Sequence, residues 1–106
     1  MTSERVREAL AEFVRERDWA QFHTPENLAK SISIEAAELL ECFQWNDDAD
    51  EARVREELAD IVTYCILLSE KLSLNLDEIV LEKLALTRAK YPVETARGRS
   101  TKYDAL

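Results

Sequence analysis

A chain of 106 residues with a formal charge of −8 suits one small domain with a modest core, and self-association would help it. The negative charge excludes a protein that lives on the phosphate backbone of DNA or RNA, where a basic patch supplies most of the affinity. One glycine and two prolines leave little material for tight β-turns, while alanine, leucine, glutamate and arginine favour helices, so the expected class is all-α.

The first helix is expected to open near Thr2 or Ser3 and run to about Arg17, with Val6, Leu10, Phe13 and Val14 as its apolar stripe and packing as its role. The connection RDWAQFHTPEN follows, holding Trp19, Phe22 and the only histidine, His23. Aromatics gathered in a connection read either as a binding loop or as a plug closing the bundle end. Thr24 before Pro25 has the form of an N-cap with proline at the first helical position, and starts a second helix running to about Gln44. Leu28, Ala29, Ile32, Ala36, Leu39, Leu40 and Phe43 share its core face. Ser31, Glu35, Glu38, Cys42 and Trp45 form a second stripe beside that face.

Asn46 to Asp50 is a polar break, and a third helix is expected from Glu51 to Leu72. Val54, Leu58, Ile61, Cys65, Leu68 and Leu72 repeat along it as a packing seam, with Arg53, Glu57, Asp60 and Tyr64 alongside. Asn75 and Glu78 have capping-box spacing, and Leu74 and Ile79 are placed as a hydrophobic staple, which starts a fourth helix from Leu76 to about Lys90. It stops before Pro92. Residues 93–106, with Arg97, Gly98, Arg99, Lys102 and Tyr103, read as an irregular basic tail of a single domain spanning 1–106. Cys42 and Cys65 lack CxxC spacing and read as reduced thiols within helices. Neither a signal peptide nor a membrane-spanning apolar run is evident, so a cytoplasmic protein without a membrane partner is expected.

Residues three apart on a helix are neighbours, so Glu35 and Glu38 stand side by side, as do Glu57 and Asp60. An antiparallel hairpin of the second and third helices would turn both acidic rims toward one cleft. Gathering four carboxylates raises their pKa values and costs stability; a divalent cation removes the repulsion. An ordinary solvated face is the bland alternative. A di-iron site wants Glu-x-x-His on paired helices, but His23 lies outside both acidic segments. Zinc hydrolysis of the His-Glu-x-x-His type lacks its ligands, and a P-loop lacks its glycines. Mg²⁺ with a phosphorylated small molecule fits the oxygen-only donor set.

The run WAQFHTPENLAKSISIEAAELLECFQW, then EELADIVTY, and later KLALTRAKYP and KY, resembles the MazG-like all-α nucleotide pyrophosphohydrolases, in particular the dCTP pyrophosphatase branch. The likeness covers Arg17 to Tyr103. It implies a four-helix subunit assembling as a dimer or dimer of dimers, and a Mg²⁺-dependent enzyme, with Mn²⁺ as a substitute. Its reaction would convert a nucleoside triphosphate, dCTP or a modified dCTP, to the monophosphate and pyrophosphate. It implies Glu35, Glu38, Glu57 and Asp60 as metal ligands, Glu35 and Glu38 also as catalytic groups with Glu38 as the proton acceptor, and Trp19, His23, Trp45 and Tyr64 around the nucleoside. Lys30, Lys83, Arg88 and Lys102 are the phosphate-contact candidates. The chain departs from vertebrate members in a shorter connection between the acidic pairs and in Thr87 where they carry asparagine, which leaves the base open. Two other expectations compete: a related dUTP or phosphoribosyl-ATP pyrophosphohydrolase, and an acidic helical module that only dimerises.

Overall fold

Ser3 accepts a hydrogen bond from the Val6 amide at 3.2 Å, and from that cap α1 runs Glu4–Glu16. The computed structural model describes residues 3–45 and 48–106. Four more helices follow: α2 (Pro25–Glu41), α3 (Glu51–Lys71), α4 (Leu76–Lys90) and the short α5 (Val93–Ala96). Single 3-10 turns occupy Ala20–Phe22 and Tyr103–Ala105. Among the described residues there is no strand, so the all-α expectation holds. The chain forms two compact units, residues 1–75 and 76–106.

In the first unit, α2 lies along α3 and α1 packs more lightly against α3. The antiparallel sense of α2 and α3 follows from their pairings. Glu41, closing α2, meets Arg53, near the start of α3, at 3.5 Å, whereas Glu35, earlier in α2, meets Glu57 and Asp60 further along α3. Asp50 caps α3 by accepting from the Ala52 amide at 3.0 Å. Asn46 and Asp47, part of the expected polar break, lie outside the described residues.

Both α1 and α3 end in Schellman motifs built on a residue other than glycine. Asp18 (φ 53°) and Ser73 (φ 56°) take the left-handed conformation. The Asp18 and Trp19 amides donate to Arg15 and Val14, each at 3.1 Å. After α3, the Ser73 and Leu74 amides donate to Glu70 and Ser69. The first motif matters for function, because it fixes where the chain carrying Trp19 leaves α1.

The enclosed residues are few: Leu28 at 1% exposure, Ile66 at 4% and Ser69 at 7%. They lie at the start of α2 and in the second half of α3, one end of the hairpin. The Ser69 hydroxyl donates to the Ile66 carbonyl at 2.7 Å, so its burial leaves no donor orphaned. The expected core face of α2 is corrected at Ala29, Ala36, Leu40 and Phe43, and the expected α3 seam at Leu58 and Leu72, all of which are exposed. The periodicity located a face correctly, but three helices are too few to cover its whole length. The second helix also ends at Glu41, short of Gln44.

In the second unit the tail holds short ordered pieces at 93–96 and 103–105 with irregular chain between them. Pro92 leads into α5, Gly98 at φ 73° turns the chain, and the Tyr103 ring packs edge-on to Tyr91 at 6.1 Å beneath the Lys90 ammonium at 4.7 Å. These contacts tie residues 103–105 back to the end of α4.

Candidate active site

On facing sides of the α2–α3 hairpin, one carboxylate oxygen from each of Glu35, Glu57 and Asp60 lies within 4.8 Å of the others. Glu38, one turn beyond Glu35, makes carboxyl–carboxyl contact with both Glu35 and Glu57. The two acidic pairs therefore do share one locus. Contact with Glu38 and then burial push the Glu35 pKa up to about 7. The same contact with Glu38, with burial second, raises that of Glu57. Neighbouring negative charge disfavours ionisation, so both groups release their protons less readily than isolated carboxylates do.

The decisive detail is a pair of atoms. Oε2 of Glu35 and Oε2 of Glu57 are both closed off from solvent without a hydrogen-bond donor. Covering an acceptor while leaving it unpaired is costly. A hard divalent cation among oxygens from Glu35, Glu57 and Asp60 would satisfy that chemistry, and the all-oxygen donor set suits Mg²⁺. Glu38 stands in contact with the group but outside the three-oxygen cluster.

Beside the acids opens a cavity of about 300 Å³, lined by Leu10, Phe13 and Val14 of α1, by Trp19 and His23, and by Asp60, Thr63, Tyr64 and Leu67 of α3. That volume sits at the lower end of small-molecule sites. The wall is largely apolar and aromatic, and His23, Asp60 and Thr63 supply its polar groups. Asp60 belongs to both the cavity and the metal-competent cluster. Trp19 is held edge-on to Phe13 at 5.4 Å, and the Arg17 guanidinium covers the Phe13 ring at 3.8 Å.

Of the residues singled out from sequence, Glu35, Glu38, Glu57, Asp60, Trp19, His23 and Tyr64 thus gather around one cleft. Trp45 does not line this cavity and stands 88% exposed beyond α2. Lys30 pairs with Glu26 at 3.0 Å on the exposed side of α2. Lys83, Arg88 and Lys102 are exposed residues of the second unit, where the Thr87 hydroxyl donates to the Lys83 carbonyl. The expectation that α1 is packing material alone is corrected, because Leu10, Phe13 and Val14 are cavity wall. Thr63 and Leu67 were also missed; the helical register beside Asp60 and Tyr64 was the available signal. Cys42 and Cys65 are free and half-buried, with the Cys42 thiol donating to the Glu38 carbonyl.

The MazG-like family model matches residues 30–106, and the chain belongs to that family. It is similar to dCTP pyrophosphatase 1 of Homo sapiens, 38% identical over 115 aligned positions covering 99% of this chain and 68% of that protein. The Bos taurus protein of the same name is 39% identical over the same shares. Among solved structures, a pyrophosphatase from Archaeoglobus fulgidus matches with a TM-score of 0.78 and 42% identity, covering 84% of this chain and 91% of that one.

Proposed function

We propose that the chain is a Mg²⁺-dependent nucleoside triphosphate pyrophosphohydrolase that converts dCTP, or a modified dCTP, to the monophosphate and pyrophosphate. It is an enzyme of the nucleotide diphosphatase class, a reading supported by its family and by relatives named dCTP pyrophosphatase 1. The observation that carries the proposal is the shared position of Asp60, at once a member of the oxygen cluster and a wall of the aromatic cavity. A base entering the cavity brings its phosphate chain alongside the acids.

Each residue has a distinct task. Glu35, Glu57 and Asp60 would hold Mg²⁺, which when bound screens phosphate charge and lowers the pKa of an attacking water. Glu38, in contact with that group but outside its cluster, accepts the proton from the water. Trp19 and Tyr64 supply flat surfaces for the base and sugar, and stacking tolerates any base. His23 and Thr63 supply the edge hydrogen bonds that discriminate. Trp45 is assigned to the outer face of the base and Lys30 to the phosphates. A protein of charge −8 needs both metal and basic side chains to accept a polyanion.

A homodimer or homotetramer working in the cytoplasm completes the proposal. Its support is the exposure of Ile34, Leu40, Leu58 and Val62 on the hairpin and of Leu81 and Leu86 on α4, more apolar surface than a lone small chain ordinarily presents. The test is a panel of ribo- and deoxynucleoside triphosphates with pyrophosphate detection, in MgCl₂ and in EDTA. Cytosine deoxynucleotides should lead, and EDTA should abolish turnover. Preference for dUTP or phosphoribosyl-ATP would overturn the base assignment; absence of Mg²⁺-dependent turnover would favour a dimerisation module.

A further inference from the structure

The side chains that close the cavity on one side do not come from a helix. Trp19 and His23 flank the three-residue turn Ala20–Phe22. So short a turn has little local hydrogen bonding to hold it: the Phe22 amide donates to Trp19 at 2.9 Å, the His23 amide to Ala20 at 3.1 Å, and the Gln21 side chain to the Asp18 carbonyl at 3.0 Å and carboxylate at 3.1 Å. Two side chains from outside grip the turn by its carbonyl oxygens. The Asn27 amide nitrogen, in the first turn of α2, donates to the Phe22 carbonyl at 3.0 Å. The Lys71 ammonium, at the last residue of α3, donates to the Ala20 carbonyl at 3.2 Å.

Asn27 is anchored for this task. Its backbone amide donates to the Thr24 hydroxyl at 3.1 Å, so the residue that receives the helix cap also reaches back to the chain before the cap. Lys71 stands at a helix C-terminus, where a positive charge is favoured by the helix dipole. One bond therefore refers the turn to α2, which carries Glu35 and Glu38, and the other to α3, which carries Glu57 and Asp60.

We propose that Asn27 and Lys71 are positioning residues of the nucleotide pocket: by clamping the Phe22 and Ala20 carbonyls they fix Trp19 and His23 relative to the acidic cluster. Their role in substrate affinity rests on the nucleotide reading above. Neither residue touches the reacting atoms, so loss of the clamp weakens substrate binding and leaves the chemical step in place.

The test uses the full chain and the variants Asn27→Asp, Lys71→Met and Lys71→Arg. Asn27→Asp removes the donor while placing a carboxylate in the first turn of α2, where it favours the helix. A role for Asn27 confined to starting the helix therefore predicts no harm. In a Trp45→Phe background Trp19 is the sole tryptophan, and its emission anisotropy, read without nucleotide, should fall in Asn27→Asp and Lys71→Met. With Trp45 intact, Asn27→Asp and Lys71→Met should each raise KM about three- to tenfold, the scale of one net hydrogen bond, with kcat within about twofold. Lys71→Arg should restore both readings. Unchanged anisotropy and KM in the first two variants would overturn the clamp, as would a lowered thermal midpoint with KM unmoved. Because anisotropy needs no substrate, an inactive parent protein would refute the nucleotide reading while the clamp is still judged.

Discussion

Glu35 and Glu57 face each other from antiparallel helices, and each hides one carboxylate oxygen from water without a donor. Both also press against the carboxyl of Glu38. Such a site is strained when empty of cations, and the strain is measurable. In EDTA, Glu35→Gln should raise the thermal midpoint above that of the parent, because one of the crowded charges is gone. Added MgCl₂ should raise the midpoint of the parent and leave the variant nearly unmoved. A parent that gains nothing from Mg²⁺ would contradict the metal assignment.

The pH dependence of the metal-free protein follows from the same contact. Glu35 titrates at about 7 in the folded chain, against 4.5 for a free side chain. The folded state therefore binds this proton more tightly than the unfolded state does. The resulting stabilisation is complete below about 4.5 and is lost as pH rises through about 7. In EDTA the parent midpoint should fall between pH 5 and pH 8 by more than that of Glu35→Gln. Thermal melts of the two proteins at both pH values check it, the variant correcting for general repulsion.

Glu38→Gln separates proton transfer from metal binding. Loss of a general base costs about 10²- to 10⁴-fold in turnover, whereas Mg²⁺ affinity by calorimetry should stay within about tenfold. Wild-type turnover at saturating Mg²⁺ would remove Glu38 from the mechanism.

Trp19→Ala should raise KM about five- to 150-fold, since stacking of a base on an aromatic ring contributes about 1–3 kcal/mol. Trp45→Ala compares a tryptophan outside the cavity with one inside it. If both variants retain parental KM across the nucleotide panel, base stacking is not the source of affinity.

Ser73 occupies a left-handed position at the end of α3. A side chain there costs about 1–2 kcal/mol that glycine avoids. Ser73→Gly should therefore stabilise the protein by about 1 kcal/mol without altering KM. Chemical denaturation read against the parent checks the sign.

Helix starts were legible because their chemistry is local: Ser3, Thr24 with Pro25, and Asp50 all declare themselves within four residues. The acidic cluster was legible for a different reason. A spacing of three within each pair, repeated on two helices joined by a short link, leaves few ways to arrange the carboxylates. The ends of α1 and α3 were read to within one residue although Asp18 and Ser73 perform a role that sequence ordinarily assigns to glycine; the end less visible was that of α2, at Glu41 rather than Gln44. The wall formed by Leu10, Phe13 and Val14 was hidden because an apolar stripe looks the same whether it meets a core or borders a cavity. Asn27 and Lys71 could not have been found at all, since their partners are backbone carbonyls, which every residue has.

Leu28, Ile66 and Ser69 gather where α2 begins and α3 ends, while Leu40, Phe43 and Leu58 toward the opposite end lie open. The hairpin is thus closed at its two extremities by different means, packed side chains at one and the covalent link between α2 and α3 at the other. Amides around Leu28 and Ile66, where packing alone closes the hairpin, should be the last to exchange with solvent.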